Sequence, residues 1–165
     1  MLLALLSGQR CQTLHSLSVP SQKSYDSWCL FTVNVLFKQS RKRKHLAPLE
    51  FLAFPQNSRL CVVSVLKEYL SKMKGIGGKE DKLFLSHQKP HRYISKDTLA
   101  RWLRDVLNGA GVDAQQFGEH STCAASTSAV LSCGIPVNAS LQAAGWSSKS
   151  TLTQFYHKVL TVPIG

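Results

Sequence analysis

His120 and Cys123 stand three residues apart in Glu119-His-Ser-Thr-Cys123, a spacing that puts both side chains on one helix face. Such a pair invites two chemistries: a thiol nucleophile beside an imidazole base, or a metal site. A phosphatase-type loop needs Arg six residues after the Cys, and that position is Ala129. Zinc needs further ligands; Cys133 and His157 are the candidates, and their spacing matches no recognised metal motif. The other concentration of reactive types is basic. Lys38-Gln-Ser-Arg-Lys-Arg-Lys44 holds five cations in seven residues and no acid. It reads as a solvated loop, as a nuclear-import signal, or as a turn pressed against phosphates. Arg10, Trp146 and Tyr156 offer a guanidinium, an indole donor and a phenol. Singly, each has an ordinary role on a surface or in a core.

The charge agrees with a polyanion partner. Across 165 residues, 20 Lys and Arg face 9 Asp and Glu, a formal charge of +11. The excess lies in residues 1–100, with 16 basic and 6 acidic residues; residues 101–165 hold 4 and 3. Nucleic acid is the first partner class and an anionic membrane surface the second. No apolar run approaches the ~20 residues of a membrane span. The five cysteines (11, 29, 61, 123, 133) are odd in number, widely spaced and without a C-x-x-C pair. That pattern suits reduced thiols in an intracellular protein, not a disulfide scaffold or a zinc finger.

The length suits one domain, and 44% apolar residues can build its core. Residues 1–17 read as helical, with a break at Ser7-Gly8. Val19-Pro20 and residues 24–27 read as a polar connector. Residues 28–37 and 46–54 read as strands of a small antiparallel sheet, with the basic run at a hairpin tip. Residues 60–73 carry Leu60, Val63, Leu66, Leu70 and Met73 near helical spacing. Residues 75–82 read as a flexible loop and Leu83-Phe-Leu85 as a short buried extended piece. Ser95 caps a helix through Leu107, with Leu99, Trp102, Leu103 and Val106 inward and Gly109 and Gly111 ending it. A small-residue helix runs from Ser121 to Cys133. Asn138 caps a short helix to Ala144, and Ser147 or Ser148 caps the last, which carries Leu152, Phe155, Tyr156 and Val159.

The C-terminal block, Glu119 to Ser128 and then Ala143-Ala-Gly-Trp-Ser-Ser-Lys-Ser-Thr-Leu-Thr-Gln-Phe-Tyr156, resembles the catalytic core of tyrosine recombinases. Its phrasing is closest to those of DIRS-like and Crypton-like mobile elements. The family's ordered parts fall at Ser7-Gly-Gln-Arg10, Lys38, His120-Ser-Thr-Cys123, Gly145-Trp146 and Phe155-Tyr156. The resemblance spans about residues 3–158. It implies an α+β, mostly helical fold with a small antiparallel sheet. It also implies a catalytic domain over 1–165, shortened at its N-terminus and without a separate DNA-clamping domain.

The implied activity is DNA recombination and integration in the nucleus, on double-stranded DNA, with a tetrameric synapse forming only on that DNA. Tyr156 would attack a phosphodiester and form a 3′-phosphotyrosyl link. Arg10, His120 and Trp146 would hold the phosphate oxygens, and Lys38 would protonate the leaving 5′-oxygen. Lys42 and Lys44 share that turn and are alternatives to Lys38. Arg41, Lys42, Arg43 and Lys44 would bind DNA. No metal and no cofactor is implied. One position departs from the pattern: the second catalytic arginine is Cys123. A neutral thiol cannot clamp the charge that builds on the phosphate, so the resemblance implies an impaired enzyme or a non-catalytic DNA-binding remnant. An RNA- or chromatin-bound basic protein reusing the fold is the third reading.

Overall fold

Cys29 and Phe31 are buried while Trp28 and Leu30 are less so, and Leu49 and Phe51 are buried while Glu50 and Leu52 are exposed. This period of two marks strands with one face on a core. The structure, a computed structural model, describes residues 1–33, 35, 46–76, 80–113, 115, 117 and 119–139, with Glu119 and His120 as backbone. Its sheet contains β1 (Gln22–Ser24), β2 (Trp28–Phe31) and β3 (Leu49–Leu52), antiparallel in that order. Cys29 lies opposite Phe51 and Phe31 opposite Leu49, so four apolar side chains share the inward face. Phe31 and Phe51 meet edge to face, their centroids 6.4 Å apart.

Among the described residues the helices are α1 (Leu2–Ser7), α2 (Cys11–His15), α3 (Val62–Met73), α4 (Lys96–Gly109) and α5 (Glu119–Ser132); α1 and α3 pack against β3, and α5 packs against α1 and α4. The core joins Leu14 and Leu17, the inward sheet residues, Val62, Val63 and Leu66, Leu83, and Leu99, Ala100 and Leu103. The Tyr69 hydroxyl donates to Leu83 O at 2.8 Å, tying α3 to the extended piece at 83–85. The Ser95 hydroxyl accepts from the Thr98 N–H at 3.1 Å and caps α4 as its sequence implies. Among the described residues no helix is long and apolar enough to cross a membrane.

Four local expectations are corrected. Ser24 belongs to β1, not to a connector; Gln22, Lys23 and Ser24 pair with β2 along one edge, where backbone bonding needs no apolar alternation. Leu60 is 53% exposed, because α3 starts at Val62 and Leu60 lies in the turn before it. Val106 is 49% exposed, because α4 is rotated so that Ala100 takes the inward place beside Leu99 and Leu103. Residues 137–139 are already helical, so Asn138 lies inside that turn and is not its cap. The strands are also shorter than their apolar runs, ending at Phe31 and starting at Leu49. The tip of the β2–β3 connection and the helices expected beyond residue 139 lie outside the described residues.

Phe31 is fully buried and Leu52 is 71% exposed on the opposite face of the same sheet. Phe31→Ala is expected to cost about 3–5 kcal/mol in urea unfolding. Leu52→Ala should stay within about 0.5 kcal/mol of the parent. Equal losses would contradict the assignment of the inward face.

Candidate active site

Arg10 owes its place to a chain reversal. The Ser7 hydroxyl donates to Leu3 O at 2.5 Å and accepts from the Gln9 N–H at 3.2 Å, closing the last turn of α1. Gly8 then takes a left-handed conformation (φ 59°), which an L side chain adopts only with strain. Arg10 is the extended residue before α2, with φ −70° and ψ 152°. Its side chain therefore leaves from a corner between two short helices. Cys11 Sγ–H reaches Lys96 O at 3.6 Å, and the His15 Nε2–H donates to Ile94 O at 2.8 Å. These contacts fasten α2, and with it the corner, to the start of α4.

Helix α5 approaches the same corner with small side chains. Thr122, Cys123, Thr127 and Ser128 are all buried. The Cys123 Sγ–H donates to Gly8 O at 2.6 Å, and the Ser126 hydroxyl donates to Leu5 O. Two carbonyls at the end of α1, which the helix leaves without intrahelical partners, are thus satisfied from α5. The Thr127 hydroxyl donates back to Cys123 O at 2.8 Å, so its burial leaves no donor unpaired. Small residues are needed here because the α1 backbone itself forms the contact.

The result sets position 123 against the turn from which Arg10 leaves. Burial pushes the Cys123 thiol up to about 12, and the nearby Arg10 guanidinium pulls it back only in part. At neutral pH the residue is a protonated thiol with its single hydrogen on Gly8 O. This removes the thiol-nucleophile reading, which needs a thiolate. It also removes a zinc site shared with Cys133, because ten residues of helix separate two ligands by ~15 Å. Cys133 is exposed while Cys123 is fully buried.

His120 lies in the first turn of α5, one helical turn before Cys123, and its side chain is outside the described residues. Lys38, Arg41, Lys42, Arg43, Lys44, Trp146 and Tyr156 also lie outside them. Sequence reasoning placed the break at Ser7-Gly8, as found, but missed Ser126 and His15 as residues that position the corner. Ser126 had a visible signal, the small residues along its helix. His15 had none, because its bond goes to a backbone carbonyl.

The buried thiol predicts a pH dependence. Cys123 titrates near 9 when unfolded and near 12 when folded, so the folded chain holds the extra proton between those values. Its contribution is fully present below pH ~9 and is lost as pH rises toward 12. In urea titrations, the stability gap between parent and Cys123→Ala should shrink above pH ~9. A gap that is constant from pH ~7 to ~10.5 would contradict the protonated, hydrogen-bonded thiol.

No family model and no curated protein matches the chain. Solved structures do. XerA recombinase superposes with a TM-score of 0.71 at 18% identity, over 94% of this chain and 51% of that one. XerH site-specific recombinase bound to difH substrate, in a pre-cleavage complex, gives 0.66 at 16% identity, over 91% and 40%. A lambda integrase tetramer bound to a Holliday junction gives 0.52 at 18%, over 93% and 40%. The chain thus spans about half the length of the first of these proteins and less of the others. The fold is the tyrosine-recombinase catalytic fold, mostly helical with a three-stranded antiparallel sheet.

Proposed function

We propose that this chain cleaves and joins duplex DNA through a 3′-phosphotyrosine on Tyr156, as a tyrosine-recombinase catalytic domain impaired at position 123. One observation supports the reading: the Cys123 Sγ–H donates to Gly8 O, two residues before Arg10, and 123 is the position where the motif calls for a second arginine. The charge of +11 and the likeness to DNA-processing recombinases support DNA as the substrate.

In the proposed reaction, the Tyr156 oxygen attacks phosphorus and the 5′-oxygen leaves. Lys38, or Lys42 or Lys44 on the same turn, gives that oxygen its proton. The Arg10 guanidinium meets two phosphate oxygens with its planar fork, and His120 and the Trp146 indole N–H donate to the others. Cys123 supplies no cation, and its only hydrogen is held by Gly8 O. The protein would work in the nucleus as an oligomer assembled on duplex DNA, and derive from a DIRS-like or Crypton-like mobile element. A single base change turns an Arg codon into a Cys codon, which suits decay of such a copy.

The buried, neutral thiol favours a second reading, a DNA-binding remnant without catalysis. Duplex DNA and RNA of matched sequence are the first comparison, and a nicked suicide duplex the second. Tighter duplex binding with a trace of Tyr156-dependent covalent complex is expected. Preference for RNA would overturn both DNA readings. Duplex binding with no adduct, in the parent and in Cys123→Arg alike, would establish the remnant.

A further inference from the structure

The outward face of the sheet has a pattern of its own, which the proposed DNA chemistry does not use. Residues directly opposite each other on antiparallel strands share a face. Lys23 lies opposite Leu30, and Leu30 opposite Glu50, so one row reads cation, leucine, carboxylate across the three strands. Trp28 lies opposite Leu52. On its other side the Tyr25 N–H donates to Trp28 O at 2.8 Å. The Tyr25 and Trp28 rings stack there, their centroids 4.2 Å and their planes 14° apart. The second row therefore reads tyrosine, tryptophan, leucine.

Trp28 and Leu30 are half-buried, and neither joins the core. Leu52 is 71% exposed, and Lys23, Tyr25 and Glu50 are exposed as well. Two stacked aromatics and two leucines on one open face have the composition of an interface centre, where large aromatic anchors dominate affinity. The charges argue against a nucleic acid as the occupant. In a chain of formal charge +11, this face balances Lys23 with Glu50, and Asp26 in the β1–β2 turn pairs with Lys67 at 3.3 Å. Both carboxylates would repel phosphates.

We infer that the outward sheet face docks on the same face of a second copy of this chain, about a two-fold axis along β2. That axis exchanges β1 with β3. Each Lys23 then lies across from the other copy's Glu50, because the two residues stand in one row. Leu30 meets Leu30, Trp28 meets Trp28, and each Tyr25 covers the other copy's Leu52. A two-fold running across the strands would bring Lys23 onto Lys23 or Tyr25, and never onto Glu50. The symmetric contact is thus self-complementary in charge as well as in apolar surface. Six side chains from each copy form its centre. A standard interface has ~20–30 residues a side, so this dimer is weak, half-formed at on the order of tens of micromolar. Ala4, Cys11 and Leu14 join the core behind the sheet, so the contact keeps the two candidate sites apart. It needs no DNA and does not rest on DNA cleavage.

The test is sedimentation equilibrium of the whole chain without DNA, from ~1 to ~200 μM near 0.15 M salt. A monomer–dimer equilibrium is expected. Leu52→Ser should weaken it at least about tenfold, the scale of one buried leucine. Lys23→Glu and Glu50→Lys should each weaken it at least about tenfold, since each sets like charges face to face. Mixing those two variants should restore a dimer of parental affinity, because every facing pair is then opposite in sign. All three positions are exposed, so the variants leave the core untouched. A parent that stays monomeric to ~200 μM overturns the inference. So does a dimer indifferent to the charge variants, or a pair of weakened variants that do not complement each other. A single-stranded oligonucleotide that binds the monomer and is released by Leu52→Ser would give the face to nucleic acid and overturn it too.

Discussion

Cys123→Arg is expected to raise the yield of covalent protein–DNA complex on a nicked suicide duplex by at least about a hundredfold. That is the scale of one preorganised transition-state donor. In the parent, residue 123 is a thiol hydrogen-bonded to Gly8 O, two residues before Arg10, and burial pushes its pKa up to about 12. A guanidinium there has five N–H donors. It can satisfy Gly8 O and still present a planar pair to the phosphate. The second cation would also favour the ionised form of the Tyr156 hydroxyl, whose ordinary pKa is ~10. Position 123 is fully buried against α1, so the longer side chain has to be accommodated at the α1–α5 contact. Thermal melting of the variant therefore accompanies the assay. The gain should vanish in the Cys123→Arg, Tyr156→Phe double variant at matched stability. A folded Cys123→Arg protein no more active than its parent would show that position 123 is not the defect.

Neutralising Arg41, Lys42, Arg43 and Lys44 together is expected to weaken duplex binding by on the order of a thousandfold near 0.1 M salt. Each phosphate contact contributes ~0.9 to the slope of log affinity against log salt, so four lost contacts flatten it by up to ~3.6. The antiparallel register, Phe31 opposite Leu49, brings the two ends of the 32–48 connection together. The run is thereby carried on the link between neighbouring strands. The loss should be uniform across DNA sequences, because phosphates carry no base information. An unchanged slope would show that this run never meets DNA.

Much of this fold was legible because one physical rule governed each element. Ser95 had a cap's side chain before an apolar stripe, and the structure shows the cap bond. Aromatic and β-branched residues at 28–37 pointed to β2, and the apolar run at 46–54 to β3, though both strands are shorter than those runs. Gln22-Lys23-Ser24 carried no such pattern, so β1 was invisible; its pairing rests on backbone groups that every residue has. Leu60 and Val106 were misplaced because spacing gives a helix's period but neither its first residue nor its rotation. Near the candidate site, the helix break at Ser7-Gly8 was legible, and the structure shows Gly8 left-handed there. The docking of Cys123 and Ser126 onto carbonyls of α1 was not, since it depends on how closely two backbones approach.

The central claim is that Tyr156 attacks DNA at a site containing Arg10 and residue 123. Its most direct test is peptide mapping of the covalent complex trapped by Cys123→Arg on the suicide duplex. The prediction is a single modified peptide, carrying on Tyr156 the 3′-phosphate of the cleaved strand, with a free 5′-hydroxyl on the other fragment. Attachment through any other residue, or to a 5′-phosphate, would contradict it.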